Sequence, residues 1–307
     1  MVIKIGMIGV SEGNGHPFSL SAIINGYSDP GLAASGWKVI YDYVKRRDPS
    51  EFGFDGVQVT HAWTQDPKIT KTLCNACRIS NPVKVAEDMI GHVDAVIIAR
   101  DDHEHHLAMA MPFLKAGLHV FIDKPLSLDV NELRFFRPFL ENGRLMSCSG
   151  MRYARELDEA RVLLADYGEI KLVRGAILNS WEKYGVHLLD AILNVIRSKP
   201  ISVESIDARH ASLALQMEDG CLVQLDALGD IGRCFRVDIF GTRNITSHEI
   251  TDNFSMFRRT LWHFLEAIKT GRPAIESEQT LSMMRTLIAG RVARDERRKV
   301  LLHEIHI

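Results

Sequence analysis

The stretch VDAVIIARDDHEHHLAMAMPFLKAGLHVFIDKPLS, residues 93–127, decides the fold. VDAVIIA (93–99) and LHVFID (118–123) are short apolar runs rich in β-branched residues, the pattern of strands buried on both faces. Between them, HEHHLAMAMPFLKAG predicts a helix, with Asp101 or Asp102 at its N-cap and Gly117 just past its end. Strand, helix and strand in so short a span predict a right-handed crossover in a parallel sheet.

Working outward, VIKIGMIGV (2–10), DGVQVTHAW (55–63) and RLMSC (144–148) read as further strands of that sheet. The fold class expected is α/β: an N-terminal doubly wound parallel sheet (residues 1–150), followed by an α+β domain with an open, mainly antiparallel sheet (residues 151–307). In a compact unit the second strand begins about 30 residues after the first. Residues 28–54 therefore read as an insertion, with Pro30, Gly31 and Pro49 at its turns. It either edges the ligand cleft or forms a surface excursion.

The second half changes character. Leu213, Leu215 and Met217 alternate with polar residues, Glu218-Asp219-Gly220 turns the chain, and Cys221–Leu228 returns as a hairpin. RVDIFG (236–241) and NITSHEI continue as strands. Two helices close the chain: one through Leu261, Phe264, Leu265 and Ile268, ending at Gly271, and one opened by Ser277, with a stripe of Leu281, Met284, Leu287, Ile288 and Val292.

Of the 307 residues, 46% are hydrophobic and 25% charged, and the net charge of −2 gives no field favouring nucleic acid or an anionic membrane. Arg291, Arg294, Arg297, Arg298 and Lys299 are interrupted by Asp295 and Glu296 and read as a solvated helix end. No run approaches the roughly 20 apolar residues of a membrane span. Five scattered cysteines and no leader pattern make a reducing cytoplasm the expected location. Cys74 and Cys77 form a C-x-x-C pair on a helix with no second pair at zinc spacing, and read as core residues.

Three stretches carry chemistry. The first is Gly9-Val-Ser-Glu-Gly-Asn-Gly15, directly after the first strand. A dinucleotide fingerprint reads G-x-G-x-x-G, but Ser11 holds the second glycine slot and Asn14 the third. Gly13 and Gly15 restore close backbone approach slightly later, ahead of His16-Pro17 at a helix start, so the loop reads as a shifted pyrophosphate site. The second is Asp123-Lys124-Pro125, at the carboxyl end of a parallel strand, where ligands of such sheets bind. The third is Trp181–Asp190, in which His187 and Asp190 stand three apart on one helical face. Arg100-Asp101-Asp102-His103-Glu104-His105-His106 lacks metal-ligand spacing, and no metal site is expected there.

With these landmarks the chain resembles the Gfo/Idh/MocA oxidoreductases, almost end to end: IGMIGV, residues 93–127, GEIKLVRG, HLLDAI, MEDGCLVQLDA, DIFGTRN and FLEAIKTGRPAIES. The resemblance implies NAD(P)-dependent hydride transfer at a carbinol or carbonyl of a sugar, cyclitol or nucleotide-sugar. Under it, Lys124, the lysine of the family's E-K-P motif, touches both the nicotinamide ribose and the reacting hydroxyl. His187 and Asp190 match the family's catalytic histidine and the aspartate three residues on, and His105 matches the histidine of its T-P-x-x-x-H segment. The cofactor-binding set it implies is Gly9, Ser11, Gly13, Asn14, Gly15, Thr64, Arg100, His105, Asp123 and Lys124. The substrate set is Lys124, Tyr153, Lys183, Tyr184 and His187.

There are departures. Lys183 occupies the aspartate slot of the family's D-x-x-x-H, leaving Asp190 or Glu182 to substitute as partner of His187. Arg100 and Asp101 replace Thr-Pro, and the segment before His187 is short. Thr64 stands where NAD enzymes carry an acid for the ribose, with Lys68 the nearest cation, so NAD and NADP both remain open. Two alternatives stay beside the dehydrogenase reading. One is a Rossmann protein that binds nucleotide without hydride transfer, as sensor or partner subunit; the other is a sugar enzyme that recycles NAD in a net non-redox reaction. A homodimer or homotetramer is expected.

Overall fold

A computed structural model describes residues 2–307. In chain order the first half runs β1 (Ile3–Ile8), α1 (His16–Asn25), α2 (Asp29–Ala33), α3 (Lys38–Lys45), β2 (Val57–Trp63), α4 (Pro67–Ala76), β3 (Asn81–Pro82), β4 (Ala95–Ile98), α5 (His106–Lys115), β5 (His119–Ile122), α6 (Val130–Glu141) and β6 (Leu145–Ser147). Its six strands are parallel and ordered β3-β2-β1-β4-β5-β6. All four residues of β4 and of β5 are buried, which is why these strands read as unbroken apolar runs rather than alternating ones. The order reverses between β1 and β4, the switch point at which such sheets bind ligands.

The second half runs α7 (Asp158–Val162), β7 (Ile170–Ile177), α8 (Val186–Ile196), β8 (Pro200–Ile206), β9 (Ala211–Met217), β10 (Leu222–Ala227), β11 (Phe235–Gly241), β12 (Ile245–Glu249), α9 (Asn253–Thr270), α10 (Ser277–Glu296) and β13 (Val300–Leu301). Its seven-stranded sheet is ordered β12-β11-β7-β10-β9-β8-β13, antiparallel throughout except for the β7–β10 pair. Val173, Leu213, Leu215, Val223, Leu225, Val237 and Ile239 are fully buried on it, the period-2 set of a sheet packed on one face. The hairpin at Glu218–Gly220 joins β9 to β10 as predicted.

The chain divides into two compact units: residues 1–126, 136–147 and 257–276, and residues 127–135, 148–256 and 277–307. Most of α9 thus belongs to the first unit. Phe264 packs on Phe121 of β5, and Arg258 donates to the carbonyls of Glu51 and Gly53 while lying over the Phe54 ring. Cys74 and Cys77 are both buried; burial pushes the Cys74 thiol up to about 11 and Cys77 higher still. No helix of the described residues is long and apolar enough to cross a membrane.

Candidate functional site

In the first unit, β1 ends in a turn at Gly9 (φ +81°). A Cβ at Gly9 would stand 2.5 Å from Cδ of Arg100, so any other residue both strains the backbone and displaces that side chain. Arg100 is fixed by a two-pronged bond to the Asp102 carboxylate. The loop then closes on itself: the Asn14 amide donates to the Ser11 carbonyl at 3.1 Å, with Gly13 at the corner. Ser11 Oγ donates to Asp101 Oδ1 at 2.5 Å. Asn14 accepts from the His16 amide at the start of α1 and donates to Asp123 Oδ2 at 3.0 Å, and His16 Nδ1 lies 2.5 Å from the same oxygen. Burial alone would raise the Asp123 carboxyl; the His16, Lys124 and Asn14 contacts outweigh it and hold the group well below the usual carboxylate range.

The first turn of α1 carries Pro17 and no acidic residue, and a Gly13 Cβ would meet only open space. A helix N-terminus of this kind, behind a glycine turn at the switch point, fits a pyrophosphate. Gly15 has a different task. A Cβ there would lie 2.5 Å from Ile40 and 2.6 Å from the Trp37 ring, so this glycine admits α3 and its preceding turn against the loop. Trp37 and Ile40 of the 28–54 segment thus pack against the glycine loop.

Lys124 follows β5, joined to Pro125 by a cis peptide, and is 3% exposed. Its Nζ lies 3.6 Å from Asp101 Oδ2, while its amide donates to Asp123 Oδ1. Asp101 therefore joins Ser11 on the loop to Lys124. This corrects the expected cap: α5 begins at His106, behind a short 3-10 turn, and neither Asp101 nor Asp102 caps it, because Ser11 and Lys124 hold one and Arg100 and His105 the other. His105 is mostly exposed, 3.1 Å from Asp102. The neighbouring His106 is fully buried, with ring nitrogens 3.0 and 3.1 Å from the Arg100 and Leu126 carbonyls, and so ties the end of β4 to the segment after β5. Thr64 is turned inward: its hydroxyl donates to the Asp66 carbonyl and meets Thr70 Oγ1 at 2.8 Å.

In the second unit His187 and Asp190 occupy one face of α8, as their spacing predicts, and both meet Ser149. Ser149 Oγ lies 2.6 Å from His187 Nδ1, and the Ser149 amide donates to Asp190 Oδ2 at 2.7 Å. The other Asp190 oxygen accepts from Arg152 at 2.8 Å. Burial raises the Asp190 carboxyl above its ordinary value, with Arg152 and the Ser149 amide offsetting part of that. Asp190 is therefore not the partner of His187. Nor is Glu182, which pairs with Arg294 at 2.7 Å. A hydroxyl stands where a carboxylate was expected.

Trp181–Gly185 forms a π-helical turn ahead of α8, anchored by buried Trp181, whose indole donates to the Leu287 carbonyl at 3.0 Å. The turn leaves Lys183 exposed and sets Tyr184 against His187, ring centroids 5.0 Å apart, with the Phe235 ring beside both at 6.5 Å from His187 and 6.3 Å from Tyr184. Tyr153 is half-buried beneath the Arg152 guanidinium, and burial drives its phenol upward. Sequence reasoning missed Asp101 as a site residue, and Ser149 and Arg152 altogether. Asp101 carried one signal, standing where the family has proline; the other two lie about forty positions from their partners and carried none.

A 3-2-1-4-5-6 parallel sheet with a glycine turn and helix at its switch point defines a dinucleotide-binding α/β protein. Residues 3–136 match the family model GFO_IDH_MocA, described as "Oxidoreductase family, NAD-binding Rossmann fold". Among curated protein sequences none matches. Among solved structures, apo scyllo-inositol dehydrogenase from Lactobacillus casei is 17% identical over 98% of both chains, with a TM-score of 0.77. Myo-inositol 2-dehydrogenase from Lactobacillus plantarum is 16% identical over 98% of this chain and 99% of that one, also at 0.77. The L. casei scyllo-inositol dehydrogenase with bound NAD(H) and scyllo-inositol is 16% identical over 99% and 100%, at 0.76. At such identities the likeness is one of fold.

Proposed function

We propose that the chain is an NAD-dependent dehydrogenase acting at a carbinol of a cyclitol or related sugar. The observation that carries this reading is Lys124, a buried ammonium at the carboxyl end of β5, aligned by Asp101 and continuous through it with the nucleotide loop. The loop from Gly9 to Asn14 and the start of α1 would hold the pyrophosphate, with Asp123 bracing the loop through Asn14 and His16. When bound, the nicotinamide accepts or supplies the hydride. Lys124 lowers the cost of the alkoxide that develops as the substrate hydroxyl loses its proton. His187 is the acid/base the family resemblance implies, and Nδ1–H, donating to Ser149 Oγ, keeps its Nε2 lone pair free for a proton.

NAD is favoured over NADP because no arginine follows β2 and Lys68 is the nearest cation there. Fluorescence titration tests the reading: NADH is expected to bind at least tenfold more tightly than NADPH, and binding of neither overturns it. Inositols of the scyllo and myo series are the first substrates to assay, since relatives of this fold that act on them share its whole length.

Ser149→Ala leaves Nδ1 without its acceptor. Losing one such bond costs about 1–1.5 kcal/mol, so kcat is expected to fall about tenfold, with the acid limb of the pH–rate profile displaced and Ser149→Thr restoring both. An unchanged profile in the alanine variant removes Ser149 from the reaction.

Lys183 in the aspartate slot of D-x-x-x-H and the shifted glycine loop favour a second reading, a nucleotide-binding sensor without turnover. NADH binding with no oxidation of any cyclitol or sugar would select it.

A further inference from the structure

The second unit contains a cavity of about 360 Å³ where the C-terminal end of α8 meets the first turn of α10. It is lined by residues the proposed reaction does not use at all, Arg197, Ser198, Lys199 and Gln279 among them, together with Arg152.

Its charge is lopsided. Two carboxylates reach it, and both are already paired: Asp190 with Arg152 at 2.8 Å and Glu278 with Arg285 at 3.0 Å. Arg197 and Lys199 are exposed and enter no ion pair among the described residues. The Ser198 hydroxyl is buried with no hydrogen-bond partner, a cost that folded proteins rarely leave standing. Arg197 closes α8 in the left-handed conformation, φ +56°, a place that glycine or asparagine fills more readily. An arginine kept there against local preference, beside an unpartnered hydroxyl and an unpaired lysine, is what an oxyanion would use. The Arg152 guanidinium, with a side chain 9% exposed, forms the inner wall through its bonds to Asp190 and Gln279.

We propose that this cavity binds a small metabolite through a phosphate or carboxylate group, held by Arg197 and Lys199, with Ser198 donating after rotation about one bond. The volume lies at the small end of ligand pockets, suited to a compact molecule rather than a nucleotide. Phosphate and carboxylate share the chemistry; the experiment separates them.

The test is isothermal titration calorimetry on the full chain at low salt, with inorganic phosphate in one arm and citrate in the other. At least one is expected to bind in the millimolar range or tighter. Arg197→Gln/Lys199→Gln is expected to weaken that binding at least tenfold with the thermal midpoint unchanged. Ser198→Ala, which removes a hydroxyl and adds no bulk, is expected to weaken it severalfold. The proposal is overturned if neither anion binds, or if the double variant binds as the parent does. It is equally overturned if NADH displaces the anion while the double variant retains it, which would place the ion in the nucleotide loop. Because binding is read directly, the result stands whether or not the chain turns over a cyclitol.

Discussion

Lys124→Met is expected to lower kcat about 10³-fold on any cyclitol the parent oxidises, while NADH affinity changes less than threefold. Methionine keeps most of the length and volume of lysine, so the packing after β5 survives and the change is one of charge. Removing a preorganised charge or donor aimed at a developing oxyanion costs about 10²–10³ in rate, and a buried ammonium sits at the upper end of that range because little water can substitute for it. Cofactor binding is spared because Ser11 Oγ still holds Asp101 and the loop keeps its contacts with Asp123. Asp101, left without its cation, is 19% exposed and can take up water. Steady-state kinetics beside an NADH titration separates the two effects. Undiminished turnover would remove Lys124 from the chemistry, and loss of both together would make it a structural residue of the loop.

The parallel sheet was legible because burial on both faces forces continuous apolar runs, and β4 and β5 are such runs. The membership of α9 was not legible: Phe264 and Arg258 contact β5 and the 28–54 segment across more than a hundred residues of chain, and periodicity shows only that a helix has an apolar face, not what covers it. The glycines show the same limit. Gly9 was rightly tied to a tight turn, whereas Gly15, read as room for a cofactor, makes room for Trp37 and Ile40. Composition announces that backbone must pass close to something and leaves that something unnamed. At the second cluster, the three-residue spacing correctly placed His187 and Asp190 on one face. Their convergence on Ser149, one on its hydroxyl and one on its amide, is a tertiary fact.

Asp190→Ala is expected to destabilise the fold by about 3–5 kcal/mol, the range for removing one partner of a buried ion pair. The cost has two sources. Arg152 keeps its charge with a side chain only 9% exposed, and the Ser149 amide loses its acceptor. Ser149 is fully buried and Arg152 is open only along one wall of the cavity, so the carboxylate's own desolvation, recovered on deletion, offsets the loss only in part. For a chain of this size the thermal midpoint should fall by about 5–8 °C. The double variant Arg152→Met/Asp190→Ala removes the stranded charge and should recover more than half of the loss, because a buried pair replaced by apolar side chains is often nearly neutral. Thermal and urea unfolding of parent, single and double variants measures this. A single variant within about 1 kcal/mol of the parent, or a double variant no better than the single, would show that Arg152 reaches solvent in the folded chain. The same deletion also frees the Ser149 backbone that positions His187, so turnover should fall in both variants while stability returns only in the double, separating the role of Asp190 in holding the fold from its role in holding the histidine.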